Sequence, residues 1–494
     1  MPESRMTVCL DEPIAVINPN IYGHFAEHLG ACIYGGIWVG EDSPIPNAGG
    51  IRADVIEALK RIDPPVVRWP GGCFADDYHW QDGVGPRENR PRRVNIWWGK
   101  TIETNAFGTH EFLRFCRLIG AEPYICGNVG SGTPRELRDW VEYCNFSGDS
   151  TLAALRRANG SADPFGVHYW GVGNENWGCG GHFRGDEYAV QFRRFATYLR
   201  DFGETPLFLV ACGSSGNDAE WTHRFFEALG DYDRIHGFGT HYYCRTAGTA
   251  TEYTTDEWYT LLHRALQMEP LIKQQRAIMD GYDPQRQIGL IVDEWGTWHP
   301  PAPGRHPRHL WQQNTLRDAM VAASTLDIFN RHADKVIMAN IAQTVNVLQA
   351  MILTEEEHML TTPTYHVYEM YKSHQGGKSL RLISETDPIS FSGPEGEAQV
   401  PNLQGSASVK DGVLTLSVTN YNVDMPLSAD IVLRGERAGE AAVSVLSAPD
   451  IHAHNTFEEP AQVTPKTVSL DVGGAGWHHT FAPASITVFR ITLS

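Results

Sequence analysis

Short apolar runs alternate with amphipathic stretches along the first three-quarters of the chain, and most runs end on glycine or polar residues. Runs of strand length that are apolar on both faces fit buried parallel strands. After a short strand over residues 5–16, they fall at 21–28, 65–74, 123–128, 169–178, 207–211, 235–243, 288–294 and 336–341. Helical spacing marks 51–62, where Ile51, Val55, Ile56 and Leu59 share a face. It recurs at 109–119, from Pro134 onward, and at 186–201, 219–229, 256–279 and 314–332. Pro134 stands where a first helical turn tolerates proline. Eight strands alternating with helices predict a closed (β/α)8 TIM barrel.

Past Gly376 the texture changes. Val413-Leu414-Thr415-Leu416-Ser417-Val418-Thr419 alternates with period two, and turn residues recur at short intervals. An α/β barrel over 17–375 followed by an all-β, jelly-roll-like sandwich over 376–494 is expected, with strand 5–16 joining the sandwich.

Composition narrows the function. A chain of 494 residues exceeds what one hydrophobic core fills. Its formal net charge of -19 argues against a nucleic-acid or anionic-membrane partner, since both need a basic face. The N-terminus lacks a charged-then-apolar signal pattern, and apolar runs reach strand length only. Nine scattered cysteines without a CxxC pair read as reduced thiols of a cytoplasmic protein. The Asn145 and Asn159 sequons are then chance matches. No P-loop or GxGxxG precedes a helix and no GxSxG elbow occurs, so no nucleotide cofactor is expected.

Candidate chemistry sits at strand ends. Gly173-Asn174-Glu175-Asn176-Trp177 closes the fourth run, and Asp293-Glu294-Trp295 closes the seventh. Barrels place their active sites at the carboxyl ends of strands. Two glutamates facing one pocket are what glycoside hydrolysis needs, one as proton donor and one as nucleophile or base. A short carboxyl separation of about 5–5.5 Å is expected, as in retaining enzymes. The donor has to stay protonated near neutral pH, which burial and a second carboxylate favour. Asn174 is placed to bond a sugar hydroxyl. Glu27, Cys73, Tyr243 and Gln343 also fall at strand ends, and Trp98 and Trp298 offer apolar walls. Core packing, turn capping or pairing of Glu27 with Arg68 or a histidine would equally account for these residues one by one.

His24-Phe25-Ala26-Glu27-His28 matches the H-x-x-E-H zinc-peptidase pattern. That motif needs a helix to project both histidines from one face, whereas here a strand ends between Gly23 and Gly30. No metal is expected. The glutamate pair would also suit an endo-acting glucanase or xylanase on the same scaffold. A catalytically silent carbohydrate-binding protein would not need both glutamates, and both are present.

Five ordered motifs carry a resemblance. They are Ile21-Tyr22-Gly23-His24-Phe25-Ala26-Glu27-His28-Leu29-Gly30, Arg68-Trp69-Pro70-Gly71-Gly72-Cys73-Phe74, Gly173-Asn174-Glu175, Asp293-Glu294-Trp295 and Ala342-Gln343-Thr344-Val345-Asn346-Val347. Together with Asn455-Thr456-Phe457-Glu458-Glu459-Pro460 they resemble the α-L-arabinofuranosidases of glycoside hydrolase family 51. The resemblance implies a retaining, metal-free, exo-acting enzyme that releases arabinofuranosyl groups from arabinoxylan, arabinan or their oligosaccharides. It implies Glu175 as acid/base and Glu294 as nucleophile, with Glu27, Asn174, Tyr243 and Gln343 holding the sugar. Cys73 stands where many members have Asn, and a bridge to Cys179 is one arrangement the resemblance leaves open. A homo-oligomer, commonly a hexamer in this family, is also implied.

Overall fold

The structure, a computed structural model, describes residues 4–493. Eight parallel strands close into a barrel: Gly23–Phe25, Val66–Trp69, Glu122–Gly127, Tyr169–Val172, Phe208–Ala211, Gly237–Arg245, Gly289–Trp298 and Val336–Ala342. Helices fill every connection, so the barrel expected from the alternation is present.

Local chemistry sets the helix boundaries. Thr133 accepts a hydrogen bond from the Glu136 amide and Pro134 occupies the first turn of helix Pro134–Asn145. Thr315 and Asp318 form a reciprocal capping box that starts Leu316–Arg331, the buried helix between strands seven and eight. The expected single helix over 256–279 is two, Thr255–Leu266 and Met268–Tyr282, joined at Gln267. The cause is Pro270. It has no amide to give, and its ring would collide with the carbonyl four residues back in a continuous helix. Helices Thr151–Ala158 and Pro363–Tyr371 are additions to the expected set, and the first barrel strand is shorter than its apolar run because Pro19–Tyr22 forms a 3-10 turn.

Inside the barrel, Val66, Tyr124, Val210, Ile291 and Met338 from five strands make their own cluster, apart from the main core between strands and helices. The second unit is a nine-stranded, all-β sheet with its own core, including Met6, Val8, Leu414, Leu416, Ile431 and Phe489. Its strand Ser4–Val16 lies between Lys378–Glu385, antiparallel, and Leu427–Arg434, parallel. The two units meet on buried polar groups: Ser406 and Ser417 hydroxyls both donate to Asp327 of helix Leu316–Arg331. A loop of the β unit reaches the barrel as well, where the Leu316 amide bonds the Ala453 carbonyl and Gln313 bonds that of Asn455. Among the described residues no helix is long and apolar enough to cross a membrane.

Candidate active site

The carboxyl ends of the strands bring the expected residues to one face of the barrel. Glu27 follows strand one, Cys73 follows strand two, Asn174 and Glu175 follow strand four, and Gln343 follows strand eight. Tyr243 lies near the end of strand six and Glu294 within strand seven. Gly173 makes the turn into Asn174. Its φ is 88°, in the left-handed region, and a Cβ there would lie 2.0 Å from Asn176 Oδ1.

Consecutive residues of a regular strand point to opposite faces, yet Asp293 and Glu294 join one network. The pairing register shifts between Thr240 and His241, so Val292 and Glu294 oppose adjacent residues and Asp293 is left over. That irregularity turns both carboxylates inward. Tyr124 Oη donates to Asp293 at 3.0 Å. Arg68 Nη1 donates to Glu294 Oε1 at 2.8 Å, its Nη2 to Asn174 Oδ1, and Tyr243 Oη to Glu294 Oε2 at 2.8 Å. Burial, then the charge of Glu294, pushes the Tyr243 hydroxyl pKa well up, so it stays a donor.

His241 stands between the two glutamates, with Nδ1 3.0 Å from Glu175 Oε1 and 3.6 Å from Glu294 Oε2. An oxygen of each carboxylate and a His241 nitrogen all lie within 4.8 Å of one another. Burial alone would lower the His241 pKa, but the charges of Glu294 and Glu175 and the bond to Glu175 outweigh it and raise it. Glu294 is buried and Glu175 is half-buried.

Glu27 accepts from Trp98 Nε1 at 2.8 Å, the Phe74 amide at 3.1 Å and Gln343 Nε2 at 3.2 Å. Burial and then the Glu294 charge push its pKa up to about 8 against those donors. The Gly71-Gly72 turn packs onto this carboxyl: a Cβ on Gly72 would lie 2.5 Å from Glu27 Oε2. Trp298 is half-buried, edge-on to Tyr243 with ring centroids 5.1 Å apart. Asn174 Nδ2 and Gln343 Oε1 are buried without a partner among the described residues.

The H-x-x-E-H segment is strand and loop. His24 packs against Tyr368, while His28 spends Nδ1 on Glu103 and Nε2 on the Trp69 indole. The two histidines therefore do not converge with Glu27. The reading of all nine cysteines as free thiols is corrected: Cys73 and Cys179 form a disulfide beside Glu175, and seven are free and buried. Spacing alone does not pair two cysteines 106 residues apart.

Sequence reasoning misses the part that four residues play in this network. In the sequence Arg68 reads only as a partner for Glu27. His241 lies two residues before Tyr243 on the same strand face, a spacing that could have found it. Asp293 is hidden by the strand irregularity. Asp76 accepts from the Val129, Gly130 and Asn174 amides, pinning two strand ends, and burial pushes its pKa up to about 6.

Comparison with known proteins identifies the family and agrees with the fold. Residues 58–259 match the alpha-L-arabinofuranosidase 1 domain, and residues 293–485 match the alpha-L-arabinofuranosidase C-terminal domain. The chain is 47% identical to an intracellular exo-alpha-L-arabinofuranosidase of Bacteroides ovatus over 479 residues, 95% of this chain and 92% of that one. It superimposes on the GH51 arabinofuranosidase of Xanthomonas axonopodis pv. citri with a TM-score of 0.95 and 42% identity, covering 99% and 100% of the two chains. An arabinose complex of the Thermotoga maritima alpha-L-arabinofuranosidase gives a TM-score of 0.86 at 35% identity, covering 99% of each. A protein that shares this barrel and this degree of identity along nearly its whole length belongs to glycoside hydrolase family 51 and is an α-L-arabinofuranosidase.

Proposed function

We propose that the enzyme is a retaining exo-hydrolase that removes terminal α-L-arabinofuranosyl groups from arabinoxylan, arabinan or derived oligosaccharides. Glu294 is the nucleophile and Glu175 the acid/base. The observation that carries this reading is the close approach of the two carboxylates, with oxygens within 4.8 Å of each other. That supports the short separation of a double displacement rather than the wider gap that admits a water between them.

Glu294 attacks the anomeric carbon while Glu175 gives its proton to the departing glycosidic oxygen. Arg68 and Tyr243 orient Glu294, donating to one oxygen each. A β-linked arabinosyl ester forms on Glu294. Glu175, now a carboxylate, takes a proton from water, which displaces Glu294 and restores the original anomeric configuration. Glu27, Asn174, Gln343 and the Cys73 bridge surround the furanose, with Trp298 as an apolar wall. The unpartnered Asn174 Nδ2 and Gln343 Oε1 suit sugar hydroxyls. We place the enzyme in the cytoplasm as a homo-oligomer; the relative from Bacteroides ovatus is named intracellular.

The test is turnover of an aryl α-L-arabinofuranoside by wild type, Glu175→Ala and Glu294→Ala, with and without azide. The expected products are α-azide from Glu175→Ala and β-azide from Glu294→Ala. Full activity in both variants would overturn the assignment. Cleavage of xylan or β-glucan but not of arabinofuranosides would overturn the substrate class alone.

A further inference from the structure

Cys73 opens the turn after barrel strand two, and Cys179 lies in the loop after strand four. Their sulfurs lie 3.8 and 3.5 Å from Glu175 Oε2. The other oxygen of that carboxylate is held by His241, so Oε2 faces the sulfurs. Both cysteines are half-buried and open to a small reductant, whereas the seven free cysteines are buried. We propose that, once this bridge is reduced, Cys73, Cys179 and Glu175 bind a thiophilic divalent cation such as Zn²⁺, and that its binding switches hydrolysis off.

Distances favour the site. A tetrahedral zinc ion with bonds of about 2.3 Å to sulfur and about 2.1 Å to oxygen sets sulfur and oxygen about 3.6 Å apart. The observed separations are 3.5 and 3.8 Å, and donor atoms of all three residues lie within 4.8 Å of one another. Only the two sulfurs have to part, which cleavage of their bond permits. His241 fixes the carboxylate as an outer partner, and a water completes the tetrahedron. Glu175, His241 and Glu294 also converge, but two thiolates select a soft cation over that nitrogen and oxygen set.

Reduction needs a dithiol. One of its thiolates attacks either sulfur and expels the other cysteine as thiolate, giving a mixed disulfide. Its second thiol then displaces the bound cysteine and leaves as a cyclic disulfide. Two electrons and two protons end on Cys73 and Cys179. Zinc binding releases those two protons to solvent. Loss of activity rests on the reading of Glu175 as acid/base, because a metal-bound carboxylate cannot carry the proton.

The experiment uses the full chain, oxidised or reduced with dithiothreitol and then freed of it under anaerobic conditions. Zn²⁺ uptake is read by competition with a chromophoric chelator, and Cd²⁺ by thiolate charge-transfer absorption. The reduced enzyme should take up one equivalent that the oxidised enzyme does not, with a cadmium–thiolate band. Cys179→Ser should lose both signals, and Glu175→Gln should keep the band while zinc affinity falls, since one of the three protein ligands is lost. A bridge that resists dithiothreitol, equal uptake in both redox states, or an extra equivalent retained by Cys179→Ser would each overturn the site. Arabinofuranoside hydrolysis should vanish at one equivalent and return with chelator. Zinc bound with hydrolysis intact would leave the metal site standing and remove the acid/base role from Glu175.

Discussion

Arg68 Nη1 sits 2.8 Å from Glu294 Oε1, with both side chains buried inside the barrel mouth. The guanidinium donates to Asn174 through its second nitrogen, so one cation aligns a residue from strand four with one from strand seven. A lysine there offers a point charge and loses the fork. Arg68→Lys is expected to lower kcat/KM by about 10²-fold or more, mostly through kcat. Arg68→Ala also strands a buried carboxylate and should cost about 3–5 kcal/mol of stability in denaturant unfolding. Unchanged kcat in Arg68→Lys would show that the fork does not orient Glu294.

Burial lowers the His241 pKa, but the charges of Glu294 and Glu175 outweigh it and raise it from its ordinary value. Neutralising both in Glu175→Gln/Glu294→Gln leaves burial and the Arg68 charge, which both lower it. Its pKa should therefore cross from above about 6.5 to below it. NMR of the histidine rings, with His241→Gln for assignment, reads the change. A pKa still raised in the double variant would contradict the cause given.

Asp327 at the joint between the units should make stability depend on pH. Burial pushes its pKa up to about 7, against hydroxyl donors from Ser417 and Ser406. An unfolded aspartate titrates near about 3.9. Between about pH 4 and pH 7 the folded chain holds a proton that the unfolded chain has released. Stability therefore falls as pH rises through that window, by up to about 1.4 kcal/mol per unit from this residue. Asp327→Asn should flatten that part of the slope, as read from urea midpoints between about pH 4.5 and pH 7.5. An unchanged slope would locate the pH dependence elsewhere.

Gly72→Ala puts a methyl 2.5 Å from Glu27 Oε2. The carboxyl must move, disturbing the Phe74, Trp98 and Gln343 bonds. A cost of about 1–3 kcal/mol in transition-state binding is expected, or roughly 10–100-fold in kcat/KM. Gly120→Ala is the control: its left-handed φ of 80° strains an alanine, but nothing lies within 4 Å of its Cβ. Equal kinetic losses in the two variants would remove the argument from Glu27.

The barrel was legible because parallel strands are apolar throughout and end abruptly on polar residues, as at Asn174-Glu175 and Glu294. Those ends also yielded Glu27, Tyr243 and Gln343. Arg68 was not legible in its true part because it lies inside a strand, among Val66, Val67 and Trp69, where a cation reads as an interruption. Asp293 was hidden by period-two logic, which the register shift in strand seven breaks. Helix Thr151–Ala158 buries only Ala153 and Arg156, too few positions to give a periodic signal. The Cys73–Cys179 bridge depends on bringing two loops together, and nothing local encodes that.

The strand at Ser4–Val16 has neighbours that begin at Lys378 and Leu427. The barrel is in this sense an insertion, enclosed by a sheet whose members lie both before and after it in the sequence. During synthesis this strand emerges well ahead of its antiparallel partner and waits for more than 360 residues before that partner exists, its Met6 and Val8 side chains uncovered meanwhile. No cut near residue 376 yields a minimal catalytic fragment. It would leave that strand unpaired on both sides, expose Asp327 and remove the loop that caps Leu316. The hydrolytic barrel and its β partner thus share one assembly fate, completed only when the sheet strands that follow the barrel arrive.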